Sequence, residues 1–307
     1  MNNKRVLVTP RSLTSSPNAT IELLSAHNLI GVFSEPGVQP SEDELAELLP
    51  GCAGWIAGVE SIGETTLNHA DVLRVISRYG SGLSNVDLSA AQSRNISVVP
   101  CTGTNSQGVA DLALAHTLNC LRSISLSSNE LRTGNWARYM GREIHGLSIV
   151  VVGLGAIGRR YAFAMRALGA RISAVDPIAS ETVGITVYRD LRDIVQKADV
   201  VSLHCPPAPD GIPLIGDDIL NSTLPGLILI NTARAELVND DAVLRALASE
   251  QLSFYALDTF RTEPPPLSEL LLHPRVIATP HIGGLTTQSM DRTLRKSVKN
   301  IVEVLNT

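Results

Sequence analysis

Three glycines, one acid and three polar residues late in the chain are where this sequence can do chemistry. Gly153, Gly155 and Gly158 form a G-x-G-x-x-G in IVVVGLGAIGRR, directly after the apolar run Ser148–Val152 and before a helix-compatible run, Arg159–Leu168. Gly153 allows a tight turn, Gly155 lets backbone N–H groups approach a pyrophosphate, and Gly158 lets the helix pack close to the strand. The helix start, Ala156 and Ile157, then faces the phosphate with its partial positive charge. Eighteen residues past Gly158, Asp176 closes the next apolar run in ISAVDP. A carboxylate there accepts hydrogen bonds from ribose hydroxyls and repels a 2′-phosphate. No arginine follows in Pro177–Ser180, so NAD is expected over NADP. A bare glycine pattern is equally a ligand-free strand–helix turn; the strand, the helix and the spaced acid make it specific.

The polar residues follow three later strand candidates, on the side of the sheet where a nicotinamide edge would lie. Arg234 sits in LILINTARAELV, Asp258, Arg261 and Glu263 in YALDTFRTEPPP, and His281 in VIATPHIGG. A guanidinium can hold a 2-oxo acid by its carbonyl and carboxylate oxygens in fixed geometry. An imidazole titrates near neutrality and can pass a proton to the substrate oxygen as hydride moves. A carboxylate beside it would orient the ring and favour its protonated form. Singly, Arg234 is equally a surface salt-bridge residue, Glu263 a solvated loop charge and His281 a strand-end cap. Their placement at successive strand ends of one nucleotide-binding sheet favours a joint site. His69 and His145 read as surface loop residues, His116 as a core histidine, and His204 in VSLHCPP as packing.

The elements that must position these residues form two series of β-α-β units. The first has strands at Arg5–Val8, Leu29–Phe33, Gly54–Val59, Val75–Ser77 and Ser97–Val99. Its helices include Ala19–Ala26 and Ser41–Leu49, the latter with the capping-box spacing Ser41 to Glu44. The stretch from Asn105 to Leu131 is apolar on nearly all faces, as a helix buried between layers or against a second subunit would be. The second series has strands at Ser148–Val152, Arg171–Val175, Val200–Leu203, Leu227–Asn231, Phe254–Leu257 and Val276–Ala278, with helices at Asp240–Ser249 and Met290–Leu305.

The chain's 307 residues suit two domains, and 44 % hydrophobic with 18 % charged residues excludes a disordered chain. Twenty-five basic against thirty acidic side chains give −5, which speaks against nucleic acid and an anionic membrane surface. No signal peptide or membrane helix is expected. Cys52, Cys101, Cys120 and Cys205 form no C-x-x-C pair, so no metal site is expected and a reducing, cytoplasmic compartment fits.

With these residues in place, the chain resembles the D-isomer-specific 2-hydroxyacid dehydrogenases over essentially its whole length, most closely the catalytic part of their D-3-phosphoglycerate dehydrogenase branch. The resemblance rests on RYGSGLSNVDL (78–88), GVADLALAHTL (108–118), VVGLGAIGR (151–159), LHCPP (203–207), INTARAELV (230–238), ALDTFRTEPPP (256–266) and PHIGG (280–284). It implies an α/β fold in which a Rossmann NAD-binding domain, residues 104–282, is inserted into a flavodoxin-like substrate domain made of 1–103 and 283–307. It also implies an NAD-dependent oxidoreductase in which Arg234, Glu263 and His281 are catalytic. Asp258 matches the position that holds the nicotinamide carboxamide, and Thr232, Ala233, Cys205 and Gly283 match positions along the cofactor. Ser81 and Gly82 match a loop that cradles the substrate carboxylate, with Gly80 allowing its turn; without the resemblance, GSG is a flexible loop.

Arg78 matches a position that helps bind phosphate, and Arg138 one that reaches into the neighbouring subunit of a homodimer. Both favour a substrate with an anionic tail such as 3-phosphoglycerate. Glyoxylate, hydroxypyruvate or another small 2-oxo acid is the alternative, and an NAD-sensing corepressor-like binding protein is a reading from another class. Two departures stand out. Ala235-Glu236 replaces the family's usual Gly-Gly after the catalytic arginine, and the chain ends soon after its last helix, so the C-terminal domain of serine-regulated members is not expected.

Overall fold

In the computed structural model, which describes residues 4–179 and 184–306, the chain divides into two units. One runs to Asn105 and resumes at Thr287; the other is Ser106–Thr286. Ser180, the last residue of the stretch read for a 2′-phosphate partner, lies outside the described residues. So do the first three residues and the last one of the expected substrate domain.

The first unit is built on strands β1 (Lys4–Val8), β2 (Leu29–Phe33), β3 (Cys52–Ala57), β4 (Val75–Arg78) and β5 (Ser97–Pro100). All pair in parallel in the order β2-β1-β3-β4-β5, the flavodoxin-like order. Parallel neighbours require crossovers. Helices α1 (Arg11–Ser15), α2 (Asn18–Ser25), α3 (Glu42–Leu48), α4 (Glu64–Leu67) and α5 (Leu88–Ser93) lie in those connections. Because strand side chains alternate between faces, each strand feeds two cores. Val6, Val8, Ile56 and Val75 meet Leu294, Val298 and Ile301 of the C-terminal helix Thr287–Leu305. Leu7, Trp55 and Ile76 pack with Leu45, Leu49 and Leu67 on the other side. Full burial of side chains this size contributes about 1.5–3 kcal/mol each. The capping box forms only in part: Ser41 Oγ accepts the Glu44 N–H at 3.2 Å, whereas the Glu44 carboxylate accepts from Glu35 N.

The second unit carries strands β6 (Ser148–Val152), β7 (Arg171–Val175), β8 (Thr186–Tyr188), β9 (Val200–Leu203), β10 (Leu227–Asn231), β11 (Leu252–Leu257) and β12 (Val276–Ala278). They form one parallel sheet, β12-β11-β10-β9-β6-β7-β8. The order reverses at β6, between β7 and β9, which is where a doubly wound sheet opens a crevice at its carboxyl ends. Its helices are α6 (Ser106–Arg122), α7 (Ile124–Arg132), α8 (Ala156–Ala167), α9 (Asp217–Leu220), α10 (Asp240–Ala248) and α11 (Glu269–Leu272). Ile149, Val151, Ile228 and Phe254 pack on α6 and α8 through Ala113, Tyr161 and Met165, and Val150, Val201 and Leu229 pack on α10 through Val243 and Leu247.

Three expectations change. The apolar stretch 105–131 is two helices, broken at Ser123 with a left-handed φ of 49°. Only α6 buries a face, with Val109, Ala113, His116 and Cys120 recurring every three or four residues. Ile124, Leu131, Trp136 and Met140 stay exposed in this chain, Trp136 at 78 % and Met140 at 97 %. The edge strand β8 was not expected, being short and weakly patterned. Several ends also shift: β3 begins at Cys52, β11 at Leu252 and the C-terminal helix at Thr287. Among the described residues no helix is long and apolar enough to cross a membrane, and no group of His, Cys, Asp or Glu could hold a metal ion.

Candidate active site

The glycine turn sits at the order reversal, and packing explains its composition. Gly153 has φ +94°, and a Cβ there would lie 2.7 Å from His204 O and 2.9 Å from Cys205 N, at the end of β9. A Cβ on Gly158 would stand 1.9 Å from Gly153 O, so α8 can approach β6 this closely only through glycine. Gly155 differs. Among the described residues, apart from its neighbours in sequence, nothing lies within 4 Å of its Cβ position, and it begins α8 as the N-cap. The first N–H groups of a helix have no intrahelical acceptor, so those of Ala156, Ile157 and Gly158 are open to an anion.

Asp176 follows β7 and is fixed by the backbone. Its Oδ2 accepts from Leu154 N at 2.8 Å, and its Oδ1 from Ile178 N at 2.9 Å and Ala179 N at 2.8 Å. Burial alone would push this carboxyl up. The three N–H groups, with Arg189, outweigh burial and hold it below its ordinary value. Arg189 donates to Asp176 O at 2.7 Å and Ala179 O at 3.0 Å. The sequence reading missed this cation, because β8 brings it back from 13 residues away.

Among the described residues of the second unit, three buried side-chain polar atoms have no hydrogen-bond partner: His204 Nδ1 after β9, Thr232 Oγ1 after β10 and Thr259 Oγ1 after β11. Such groups in a native fold call for a ligand or water, and neighbouring strands place all three at the carboxyl end of the sheet. Burial pushes the Cys205 thiol up to about 11, so it stays protonated and uncharged there. The open helix start, the fixed acid and the orphaned atoms together fit a dinucleotide.

The far end of the sheet holds the other candidates. Asn231, Leu257 and Ala278 lie side by side in register across β10, β11 and β12, so their loops leave the sheet together. Asn231 is fully buried and shapes the first loop. Its Nδ2 donates to Arg234 O at 2.9 Å and its Oδ1 accepts from Ala233 N at 3.1 Å, turning Arg234 outward. One guanidinium N–H of Arg234 rests on Ala233 O at 2.7 Å. Arg261 ties the second loop to Val238 O at 3.0 Å. Ala235 and Glu236 open a short 3-10 turn, with Glu236 exposed.

Glu263 and His281 are brought together. Nδ1 of His281 lies 2.8 Å from Oε1 and 2.9 Å from Oε2 of Glu263, and Phe260 N donates to the same carboxylate at 3.2 Å. Acceptance by a carboxylate makes Nδ1 the N–H nitrogen, and no hydrogen bond engages Nε2 among the described residues. Both side chains are about half exposed, as groups that must meet a small molecule need to be. Arg234 stands at the adjacent loop, where its guanidinium bonds to Ala233 O. Asp258 is buried, and its carboxylate accepts from Thr279 Oγ1, Ile282 N and Gly283 N. A Cβ on Gly283 would approach Asp258 Oδ2 to 3.0 Å.

In the first unit, Arg78 ends β4 with Nε donating to Asn85 Oδ1 at 3.3 Å and a terminal nitrogen to Tyr79 O. A Cβ on Gly80, which has φ +149°, would meet that nitrogen at 2.5 Å. Asn85 is itself fastened to Glu60 O at 2.7 Å, and the buried Glu60 carboxylate takes the Gly58 N–H and the Thr9 hydroxyl. Asn85 falls within the motif at 78–88, but its tie to Glu60, and that of Glu60 to Thr9, 51 residues away, carry no local sequence signal. Ser81 is exposed and Gly82 half-buried, and Arg138 is exposed in the irregular segment after α7.

Residues 114–283 match the family model described as D-isomer specific 2-hydroxyacid dehydrogenase, NAD binding domain. The chain is 35 % identical over 260 residues to a D-3-phosphoglycerate dehydrogenase of Mycobacterium bovis, covering 82 % of this chain and 49 % of that protein. It thus spans about half the length of the curated relatives it matches. The crystal structure of the TT0316 protein from Thermus thermophilus superposes with a TM-score of 0.88 at 31 % identity, covering 98 % of this chain and 97 % of the other. An NAD-bound 3-phosphoglycerate dehydrogenase of Entamoeba histolytica shares the fold, with a TM-score of 0.82 at 21 % identity over 99 % and 96 % of the two chains. On this site, this fold and these relatives, the chain belongs to the D-isomer specific 2-hydroxyacid dehydrogenases and carries their NAD binding domain.

Proposed function

We propose that the protein is an NAD-dependent oxidoreductase interconverting a D-2-hydroxy acid and its 2-oxo acid. The observation that carries this reading is the Glu263–His281 pair at the strand ends of a dinucleotide-binding sheet. NADH, when bound, supplies a hydride to the substrate's carbonyl carbon. His281 gives a proton from Nε2 to the carbonyl oxygen and takes it back in the reverse direction. Glu263 orients the ring through Nδ1. Arg234, with one N–H spent on Ala233 O, has the rest of its fork for the carbonyl and carboxylate oxygens.

The dinucleotide domain is assigned to residues 104–282, and Gly283, the next residue, joins its site. Gly153, Gly155, Ala156, Ile157 and Gly158 take the pyrophosphate and Asp176 the ribose. Cys205, Thr232, Ala233, Asp258 and Gly283 line the path to the nicotinamide. The substrate domain is assigned to 1–103 and 283–307, where Ser81 and Gly82 take the carboxylate. Arg78 is assigned an anionic tail, as in 3-phosphoglycerate; the names of the curated relatives support this. The exposed Ile124, Leu131, Trp136 and Met140 support a homodimer in which Arg138 of the partner subunit joins the tail site. A monomeric mass by light scattering at micromolar concentration would set that assembly aside. Four free thiols support a cytoplasmic setting.

The test is NADH oxidation across 2-oxo acids with phosphate, sulfonate, carboxylate and neutral tails. Turnover is expected, with the highest kcat/KM for 3-phosphohydroxypyruvate. NADH binding with no turnover of any 2-oxo acid would replace the enzyme by a cofactor-sensing module.

A further inference from the structure

The segment carrying His281 leaves β12 at Ala278, and its turn depends on one buried acid. Asp258 Oδ1 accepts from Ile282 N at 2.8 Å and from Thr279 Oγ1 at 2.6 Å, and Oδ2 accepts from Gly283 N at 2.8 Å. Between these anchors His281 adopts a left-handed φ of 52°, with its N–H donating to Thr279 O at 2.9 Å. A side chain in that region is strained, so the conformation persists only while the anchors hold.

Thr279 Oγ1 is the adjustable link. Its single hydrogen has two acceptors in reach, Asp258 Oδ1 at 2.6 Å and Leu257 O at 3.4 Å. On its other side stands His116 Nε2 at 3.1 Å, projecting from α6 across 163 residues of sequence. His116 is 3 % exposed. Burial holds its ring below the ordinary histidine value, against the opposing pull of Asp258, so it is neutral at pH 7 with one N–H. A hydroxyl already donating to a carboxylate can only accept from its next neighbour, which puts that N–H on Nε2.

We propose that His116 is a positioning residue for the proton-transfer step: by donating to Thr279 it commits the threonine hydroxyl to Asp258, and Asp258 then holds the turn that aims His281. This rests on the reading of His281 as the acid. Without the imidazole donor the hydroxyl is free to rotate toward Leu257 O. Asp258 Oδ1 then loses one of its two donors, and the left-handed turn loses part of its support. Proton transfer depends steeply on geometry, so the loss falls on kcat.

The experiment measures kcat, KM and NADH affinity with 3-phosphohydroxypyruvate or hydroxypyruvate, whichever turns over, for His116→Leu, His116→Gln, Thr279→Val and the double variant His116→Leu/Thr279→Val. Each variant's melting temperature is followed as well. His281→Ala is run first; should it keep its turnover, the reading of His281 fails and the relay with it. Given its loss, His116→Leu and Thr279→Val are each expected to lower kcat about tenfold, with NADH affinity within about twofold of wild type. His116→Gln, whose amide donates from nearly the place of Nε2, is expected to recover most of kcat. The double variant is expected to be no worse than either single one, since both cut the same link. A merely structural His116 predicts lower melting temperatures with kcat intact, a glutamine no better than leucine, or additive losses; any of these overturns the proposal. Should His116→Leu not yield soluble protein, Thr279→Val against Thr279→Ser reads the same link, and equal kcat in those two overturns it.

Discussion

Gly155→Ala and Gly158→Ala should separate what the glycine turn does for the fold from what it does for the ligand. Helix propensity alone favours the change at Gly158, by up to about 1 kcal/mol, whereas Gly155 is the N-cap, where glycine is preferred to alanine. The surroundings differ. At Gly158 the new Cβ would be 1.9 Å from Gly153 O, so α8 must retreat from β6 by more than an ångström to reach ordinary contact. Overpacking of that kind costs about 1–3 kcal/mol; set against a propensity gain of about 1 kcal/mol it leaves a net loss of up to about 2 kcal/mol. For a unit of this size that is up to about 8 °C in melting temperature. The same retreat moves the N–H groups of Ala156 and Ile157, so NADH affinity falls as well. At Gly155, apart from its neighbours in sequence, nothing lies within 4 Å, so only the cap preference is lost and stability should fall by no more than about 1 kcal/mol. A methyl there stands where a pyrophosphate approaches, and loss of one charge-assisted hydrogen bond, about 1.5–3 kcal/mol, weakens NADH about 10–150-fold. Thermal melting of the apoprotein and fluorescence titration with NADH read the two effects separately. A Gly158→Ala protein that melts higher than wild type, or a Gly155→Ala protein that binds NADH normally, would refute the argument.

Three further outcomes follow from the geometry. Burial pushes the His204 ring down to about 3, and its Nδ1 has no partner. The unfolded chain takes up that proton below about 6.5, so this group's share of stability is complete above 6.5 and is lost as pH falls toward 3; at pH 5 the loss is about 2 kcal/mol. Denaturant melts of His204→Gln should fall less between pH 7 and 5 by that amount, and a wild-type slope would count against the assignment. Asp176→Ala should weaken NADH and relax discrimination against NADPH in kcat/KM ratios, helped by Arg189 nearby; a wild type already preferring NADPH would contradict this. Arg78→Ala should raise KM for a phosphate-tailed 2-oxo acid about 10–150-fold, the worth of a charge-assisted hydrogen bond, and leave glyoxylate unchanged. Equal losses on both substrates would remove the tail role.

What the sequence made legible is what lies close together along the chain. The glycine turn, its strand and its helix form one continuous stretch, Ser148 to Ala167, and the reasons for Gly153 and Gly158 are contacts within the β6–α8 turn and with the end of β9. The late loops were legible because the sheet ends β10, β11 and β12 in register, so residues just after each strand share one edge. Local pattern stopped where long-range packing took over. His116 was readable as a core histidine from its place on α6, but its partner Thr279 was not. Arg189 reaches Asp176 only through β8, a three-residue edge strand with little apolar signal. The break at Ser123, at a left-handed φ of 49°, has neither glycine nor proline to mark it.

The central claim is that His281, held at Nδ1 by Glu263, moves the substrate proton through Nε2 while the dinucleotide binds elsewhere on the same sheet. Its most direct test is kcat for reduction of a 2-oxo acid by NADH in wild type and His281→Ala, with the Kd for NADH measured on the same preparations. The account predicts a fall in kcat of about 10²–10⁴-fold with an NADH Kd within about twofold of wild type. A His281→Ala enzyme that keeps near-normal kcat from pH 6 to 9 would contradict it.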